Sequence, residues 1–271
     1  MRDRAKWLRL SPVALGIVYL IPFYILITTS LKKESDLSSK WALPGYLDLD
    51  NFVQAWSNAR LDSAFVNTLV VTGCALALLV LLGSLSAYPL ARYPSRWNKL
   101  MYVCFVSALI VPPLAILVPL YKFYVDLGGI NTYWGIVLLQ TTFYLPMAIF
   151  LYTGFIKSIP KDLDEAAMID GAGKIGLFLR ILLPLLKPVT ASVMILCGVQ
   201  IWNDYQFSVF FLQKADMQTF TVALSVFIGQ FNSNIGWVAA GSFIAAVPLA
   251  ALYLFLQRYF INGLASGAVK G

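Results

Sequence analysis

An all-α polytopic membrane protein is the fold this sequence predicts, and three observations predict it. Of its 271 residues, 59% are hydrophobic and only 12% are charged, about half the charged share of a soluble domain. Long uncharged apolar runs recur along the chain, each sufficient to cross a ~30 Å hydrocarbon core at ~1.5 Å per residue. One charged stretch, residues 157–187, interrupts them with five basic residues and four acids. The soluble alternative requires six long, fully apolar buried helices in one chain of this size, which composition disfavours.

The elements follow in order. Arg2, Arg4, Lys6 and Arg9 precede a first apolar run, residues 11–30. A cleaved signal peptide has similar beginnings. This apolar stretch is long for a signal core, and no small-x-small site precedes Lys32, so a retained span is expected. Residues 32–62 read as an outside polar cap carrying the aromatic anchors Trp41, Tyr46, Phe52 and Trp56.

A second span is expected over 65–88. Gly73 and Ala77, then Gly83, Ala87 and Ala91, recur there at four-residue spacing, which permits close helix contact. The third (100–120) contains Pro112, Pro113 and Pro119, and the fourth (133–155) contains Pro146. These prolines predict kinks or broken helices, which fit either a pathway or a static bend. The fifth (189–211) is interrupted by Asp204, and the sixth covers 237–260.

No charge falls between Met217 and Gln257, a length that would fit two spans. Gln218, Thr219 and Thr221 soften its start, and Gln230, Asn232, Ser233, Asn234 and Gly236 cluster in its middle. Residues 217–228 are therefore read as an extramembrane or re-entrant segment, with a hairpin of two spans as the alternative.

Six spans place fourteen basic residues on one side (the N-terminus, the loop holding Arg92, Arg96 and Lys99, residues 157–187 and the tail) and six on the other. The positive-inside rule puts both termini and the charged loop in the cytoplasm. The net charge of +7 is then topological. No basic patch with interleaved aromatics is visible, so nucleic acid is not an expected partner.

The charged loop opens like a helix. Pro160 suits a first turn, and Asp162, Asp164 and Glu165 follow where the helix dipole favours negative charge. Gly171 and Gly173 break that helix, and a second apolar-periodic run leads to Pro184 and Pro188. A helix–turn–helix held outside lipid in a protein of this kind is a docking element.

Catalytic chemistry is hard to place. There is no histidine, the commonest general base and metal ligand. Cys74, Cys104 and Cys197 are dispersed through the proposed spans, so neither a disulfide framework nor a thiolate metal site is indicated. The GAGK of residues 171–174 fails as a phosphate loop, because Met168 stands where its leading glycine belongs and Ile175 where Ser or Thr belongs. This chain is not expected to hydrolyse nucleotide.

Glu165-Ala166-Ala167, three residues including Asp170, Gly171, nine residues, Ile181, one residue, and Leu183-Pro184 make one continuous pattern. It resembles the EAA signature of the membrane subunits of binding-protein-dependent ABC importers. The WNDY of residues 202–205 and the tail QRYFINGLASGAVKG (residues 257–271) are similar to the sugar-importer branch, the maltose-transport type.

The resemblance covers essentially the whole chain. It implies one permease domain, residues 1–271, of the type I importer fold, in a bacterial or archaeal cytoplasmic membrane. It also implies a coupling loop, residues 157–188, seated in a cleft of the ATPase. On that reading Glu165 and Asp170 offer charge, Ala166 and Ala167 let the partner approach, Gly171 supplies the turn, and Ile181 and Pro184 belong to the second helix. Two ATP-binding subunits, which hold ATP and Mg, are implied as partners, together with a second, different permease and an extracytoplasmic solute-binding protein. The outside loop 213–237 corresponds to one that reaches into the docked binding protein, and the tail 262–271 to one that contacts the ATPase pair. That tail is short and rich in Gly and Ala, and is expected to be disordered alone.

Asp204 is the one acid expected well inside a span, where ionisable groups are costly and functional. Gln200, Asn203, Asp204 and Phe207 recur at i, i+3, i+4 and i+7, so they are expected to share one helix face. That face suits a sugar path, and equally a polar cluster packed on a neighbouring helix or on the second permease. Other readings of the whole chain are an importer for another solute such as a glycerol-phosphate ester, a membrane scaffold with a docking site, and an intramembrane enzyme.

Overall fold

The computed structural model describes residues 2–169, 171–228 and 234–268, with side chains described at 12 and from 14 to 258 within those ranges. Its elements are all helical: α1 (Arg2–Ser30), α2 (Asp50–Asn58), α3 (Leu61–Arg92), α4 (Arg96–Ala108), α5 (Pro113–Asp126), α6 (Tyr133–Ser158), α7 (Asp162–Ile169), α8 (Lys174–Leu177), a π turn over Phe178–Leu182, α9 (Leu183–Leu185), α10 (Lys187–Trp202), α11 (Ser208–Phe211), α12 (Phe220–Ser225) and α13 (Ile235–Ala268).

Among the described residues three helices are long and apolar enough to cross a membrane: Leu61–Arg92, Tyr133–Ser158 and Ile235–Arg258. Two bent pairs raise that to five if each is one span. α1 adds the shorter apolar stretch Ala14–Ser30.

Two of the expected spans are broken rather than continuous. Residues 100–120 are two helices, α4 and α5, meeting at 100°. Each of the paired prolines pushes its predecessor out of the helical region, so Pro112 is extended at φ −66°, ψ 130°, and Pro113 opens the next helix. Residues 189–211 are likewise discontinuous, because α10 ends at Trp202 and only the one-turn α11 follows. Pro119 and Pro146 stay inside their helices. Side-chain caps set two starts: Ser95 Oγ accepts from the Asn98 N–H at 3.0 Å, and Thr132 Oγ1 from that of Gly135 at 3.1 Å.

The described chain divides into two compact units, and two of the three crossings between them fall inside long helices, α3 and α13. The smaller unit is Met1–Phe65 with Phe220–Pro248. Its core is Ala55, Leu61, Ala64, Phe220, Ala223, Phe227 and Ala240. α12 is six residues long, so the two-span alternative for 217–257 is not formed. Gln230, Asn232 and Ser233, which helped to set that reading, lie outside the described residues. The cap over residues 32–62 is ordered by its polar groups. Lys32 Nζ donates to Ser38 Oγ and to the Ser39 carbonyl, both at 2.7 Å, and buried Asn51 donates to the carbonyls of Ser30 and Lys32.

The larger unit is Val66–Thr219 with Leu249–Gly271. α3, α6 and α10 supply most of its core, including Leu79, Ile136, Ala148, Tyr152, Val193 and Cys197. At Gly83 α3 lies tight against α6: a β-carbon there would lie 3.0 Å from Ala148 Cβ. Ala87 continues that stripe, fully buried. Gly73, by contrast, has open space around it, so only the Gly83 half of the small-residue pattern serves packing within this chain. Buried Phe207 and Phe211 join the core through edge contacts with Phe143 and Tyr124, both at 5.2 Å.

α13 continues through Ala268, because extending an existing helix costs far less than nucleating one. Residues 269–271 lie outside the described residues.

Candidate functional site

The charged loop folds as a helical hairpin. Lys161 accepts the first turn of α7 through its carbonyl, from the N–H groups of Asp164 and Glu165 at 2.8 and 3.1 Å. At the other end the Ala172 N–H donates to the Ala167 carbonyl at 2.9 Å, and the Gly171 N–H to that of Met168 at 3.1 Å. This paired closure satisfies terminal carbonyls with a left-handed residue between them, and Gly171 has φ +79°. No atom crowds its α-carbon. Glycine is required there by backbone conformation rather than by space.

Ala167 packs inward against Leu177, Phe178 and Leu182. Its small size therefore serves the closeness of the hairpin's own halves, which corrects the expectation that it faces a partner. Glu165 and Ala166 are exposed, and so are the apolar Leu163, Met168, Ile169 and Ile175, Ile169 at 86%. Asp170 lies outside the described residues. Ile181 packs on the hairpin core and Pro184 is exposed.

Pro184 does not end the second helix. It has no N–H for the helical ladder, and its ring would meet the carbonyl of Arg180. The chain answers with the wide π turn over Phe178–Leu182, and α9 carries Pro184 in its first turn. The break comes at Leu186, followed by a 69° bend into α10.

One contact was not legible in the sequence. Arg92, the last residue of α3, holds Asp164 on α7: Nε lies 2.7 Å from Oδ2, and Nη2 donates to Oδ1 at 3.2 Å. Nη1 donates to the Ile159 carbonyl at the end of α6, at 2.9 Å. The two side chains are 4% and 12% exposed. In sequence, Asp164 looks like any acid of a first helical turn. The signal that could have marked it is its place three residues before inward-facing Ala167, on the same face.

The four residues proposed for one face are not brought together. Because α10 ends at Trp202, Gln200 lies on the helix, Asn203 and Asp204 lie in the turn beyond, and Phe207 is buried in the aromatic core. Gln200 and Asn203 are exposed. Asp204 serves the turn instead. Its Oδ2 accepts from the N–H and Oγ of Ser208 at 2.9 and 2.7 Å, and its Oδ1 from the Phe207 N–H at 3.2 Å. Such bonds offset the cost of a carboxylate among apolar neighbours.

A cavity of about 840 Å³ opens beside α3, lined by residues that include Gly73, Leu76, Ala77, Val80, Ser84 and Met194. These walls are apolar and offer few partners to sugar hydroxyls.

A folded helical hairpin on a chain of apolar, membrane-length helices is the architecture of a membrane protein with a docking element. Residues 79–265 match the binding-protein-dependent transport system inner membrane component family, and the chain belongs to that family. It is 48% identical to the melibiose/raffinose/stachyose import permease protein of Bacillus subtilis (strain 168), over 99% of each chain. It is 32% identical to the probable starch degradation products transport system permease protein of Thermoanaerobacterium thermosulfurigenes, covering 95% of this chain and 94% of the other. Among solved structures, a bacterial ABC transporter involved in the import of the acidic polysaccharide alginate superposes with a TM-score of 0.82 at 20% identity, over 96% of this chain and 98% of that one. That likeness is one of fold.

Proposed function

We propose that this chain is a permease subunit moving a sugar or oligosaccharide of the melibiose–raffinose–stachyose kind across the cytoplasmic membrane. The observation that carries it is the 48% identity, over 99% of both chains, to a permease named for those sugars. The chain is a multi-pass membrane protein of a transport system, and its chemistry is binding and gating rather than bond-breaking. ATP and Mg belong to two partner subunits, whose cleft receives the hairpin through exposed Glu165, Ala166 and the apolar residues beside them. Gly171, Ile181 and Pro184 shape that hairpin. A second permease completes the pathway, with both termini and residues 157–188 in the cytoplasm. Gln200 and Asn203, the exposed members of the earlier set, remain candidates for the sugar path. ATP binding drives the cycle only by favouring one orientation of the permease pair over the other, and the hairpin carries that preference.

The test is purification of the tagged chain from its native membrane in mild detergent, followed by uptake of labelled raffinose and maltodextrin by the reconstituted assembly. Recovery of an ATPase and a second permease, with ATP-dependent raffinose uptake, is the expected result. A chain that purifies alone overturns the assembly. Uptake of maltodextrin in preference to raffinose overturns the substrate class.

A further inference from the structure

Three helix ends meet on one guanidinium. Arg92 closes α3, the Ile159 carbonyl that it caps follows α6, and Asp164 sits in the first turn of α7. The remaining described contacts between α3 and the hairpin are of another kind. Tyr88 tilts over Phe178 at 5.7 Å, and Tyr88 also packs on the cluster of Ala167, Leu177, Phe178 and Leu182. Apolar contacts of that sort have no fixed direction and allow sliding. A planar guanidinium that donates from Nη2 to one carboxylate oxygen and from Nη1 to a carbonyl, with Nε in ionic contact with the other carboxylate oxygen, has one geometry. Its burial removes the water that would replace either partner as they separate.

We propose that the Arg92–Asp164 pair is a positioning contact for coupling: it fixes the attitude of α7 and passes displacement of that helix into α3. This rests on the reading that residues 157–188 engage the ATPase. Neither residue needs to touch nucleotide or sugar. The fork makes α3 follow α7 as a rigid body, where apolar contacts alone would let the hairpin move and leave the span behind.

The test uses the complete assembly in proteoliposomes with its binding protein, measuring labelled raffinose moved per ATP hydrolysed alongside the Tm of the complex. Arg92→Lys keeps the charge but loses the fork. It is expected to assemble, and to lower raffinose per ATP by about tenfold. The double variant Arg92→Leu/Asp164→Leu removes both charges together, a replacement that is often neutral for stability. Its Tm is expected to match the native complex while its raffinose per ATP stays low.

A merely structural pair predicts the opposite, with the double variant restoring both readouts, and that result overturns the proposal. Full coupling in Arg92→Lys overturns it as well. If the lysine variant does not assemble, the double variant decides alone. A native chain that recovers no ATPase overturns the coupling reading itself, a result distinct from a coupled native complex whose double variant transports normally.

Discussion

Asn67 on α3 donates from Nδ2 to the main-chain carbonyl of Asp216, 149 residues further along the chain, at 2.9 Å. The same amide bonds the Gln218 carbonyl, also at 2.9 Å, and its oxygen accepts from the Tyr133 hydroxyl. Asn131 works similarly nearby, its Oδ1 accepting from the N–H groups of Gln213 and Lys214 at 2.6 and 2.9 Å. Two asparagines therefore hold the segment 213–218 in one posture. Asn67→Ala is expected to free that segment and to cost about 1–3 kcal/mol through the orphaned carbonyls and hydroxyl. Faster amide exchange confined to 213–218 in the lipid-embedded chain would support this, and unchanged exchange would refute it.

At Gly171 two substitutions separate backbone strain from lost bonding. Gly171→Ala is expected to cost only about 1–2 kcal/mol, because φ is +79° and no neighbour obstructs a methyl group. Gly171→Pro also removes the N–H that bonds Met168 and cannot adopt positive φ. ATPase recovery in pull-down should fall slightly for alanine and be lost for proline. Equal losses in both variants would show that space, not conformation, is what glycine provides.

Tyr152 is fully buried between α6 and α10 and donates to Thr190 Oγ1 at 2.9 Å. Hydrogen bonds between membrane helices average about 0.6 kcal/mol, whereas emptying an aromatic site costs about 3–5 kcal/mol. Tyr152→Phe should therefore barely move the Tm in detergent, and Tyr152→Ala should lower it strongly. Gly83→Leu, which forces side-chain atoms against Ala148 and Tyr152, should also lower the Tm but by less than the alanine variant, at about 1–3 kcal/mol of overpacking. A large effect of Tyr152→Phe would reverse the assignment from packing to hydrogen bonding.

The cap over residues 32–62 carries a pH dependence whose sign can be stated. Hydrogen bonds from the Ser38 side chain, from Tyr46 and from the Ser38 N–H lower the Asp36 carboxyl pKa to about 2. The same contact raises the Tyr46 phenol above its ordinary value. The depressed acid stabilises the cap above its unfolded pKa of about 4, and that contribution is lost as pH falls toward 2. The raised phenol contributes below about pH 10 and loses its contribution as pH rises further. A carboxyl NMR titration should find Asp36 ionising near 2 and shifting upward in Tyr46→Phe. A midpoint near 4 in the native chain would contradict the assignment.

Much of this fold was legible because hydropathy reports burial in lipid directly. The long runs at α3, α6 and α13, the hairpin of α7 and α8, and the turn at Gly171 all left signals in local sequence. Pro112 and Pro113 predicted a kink, but the size of the bend depends on packing that no local pattern contains. The face shared by Gln200, Asn203, Asp204 and Phe207 failed for a related reason. Helical periodicity presumes a continuous helix, and nothing in WNDY announces a stop at Trp202. The Arg92–Asp164 contact joins residues 72 apart, and only the folded chain brings them together.

The π turn at Phe178–Leu182 alters the phase of everything after it. A wide turn admits one residue more than an α-helical turn, which sets the downstream side chains about 100° around the axis from their uninterrupted positions. Leu186, which closes α9, reaches the interior in that shifted phase, and Leu182 does so at the end of the π turn itself. Deleting a single exposed residue such as Leu179 would shorten the chain by almost nothing, yet it would rotate those leucines outward and bring polar neighbours in. The register between the hairpin and α10 is thus held by a count of residues, and insertions or deletions there are the changes the fold can least absorb.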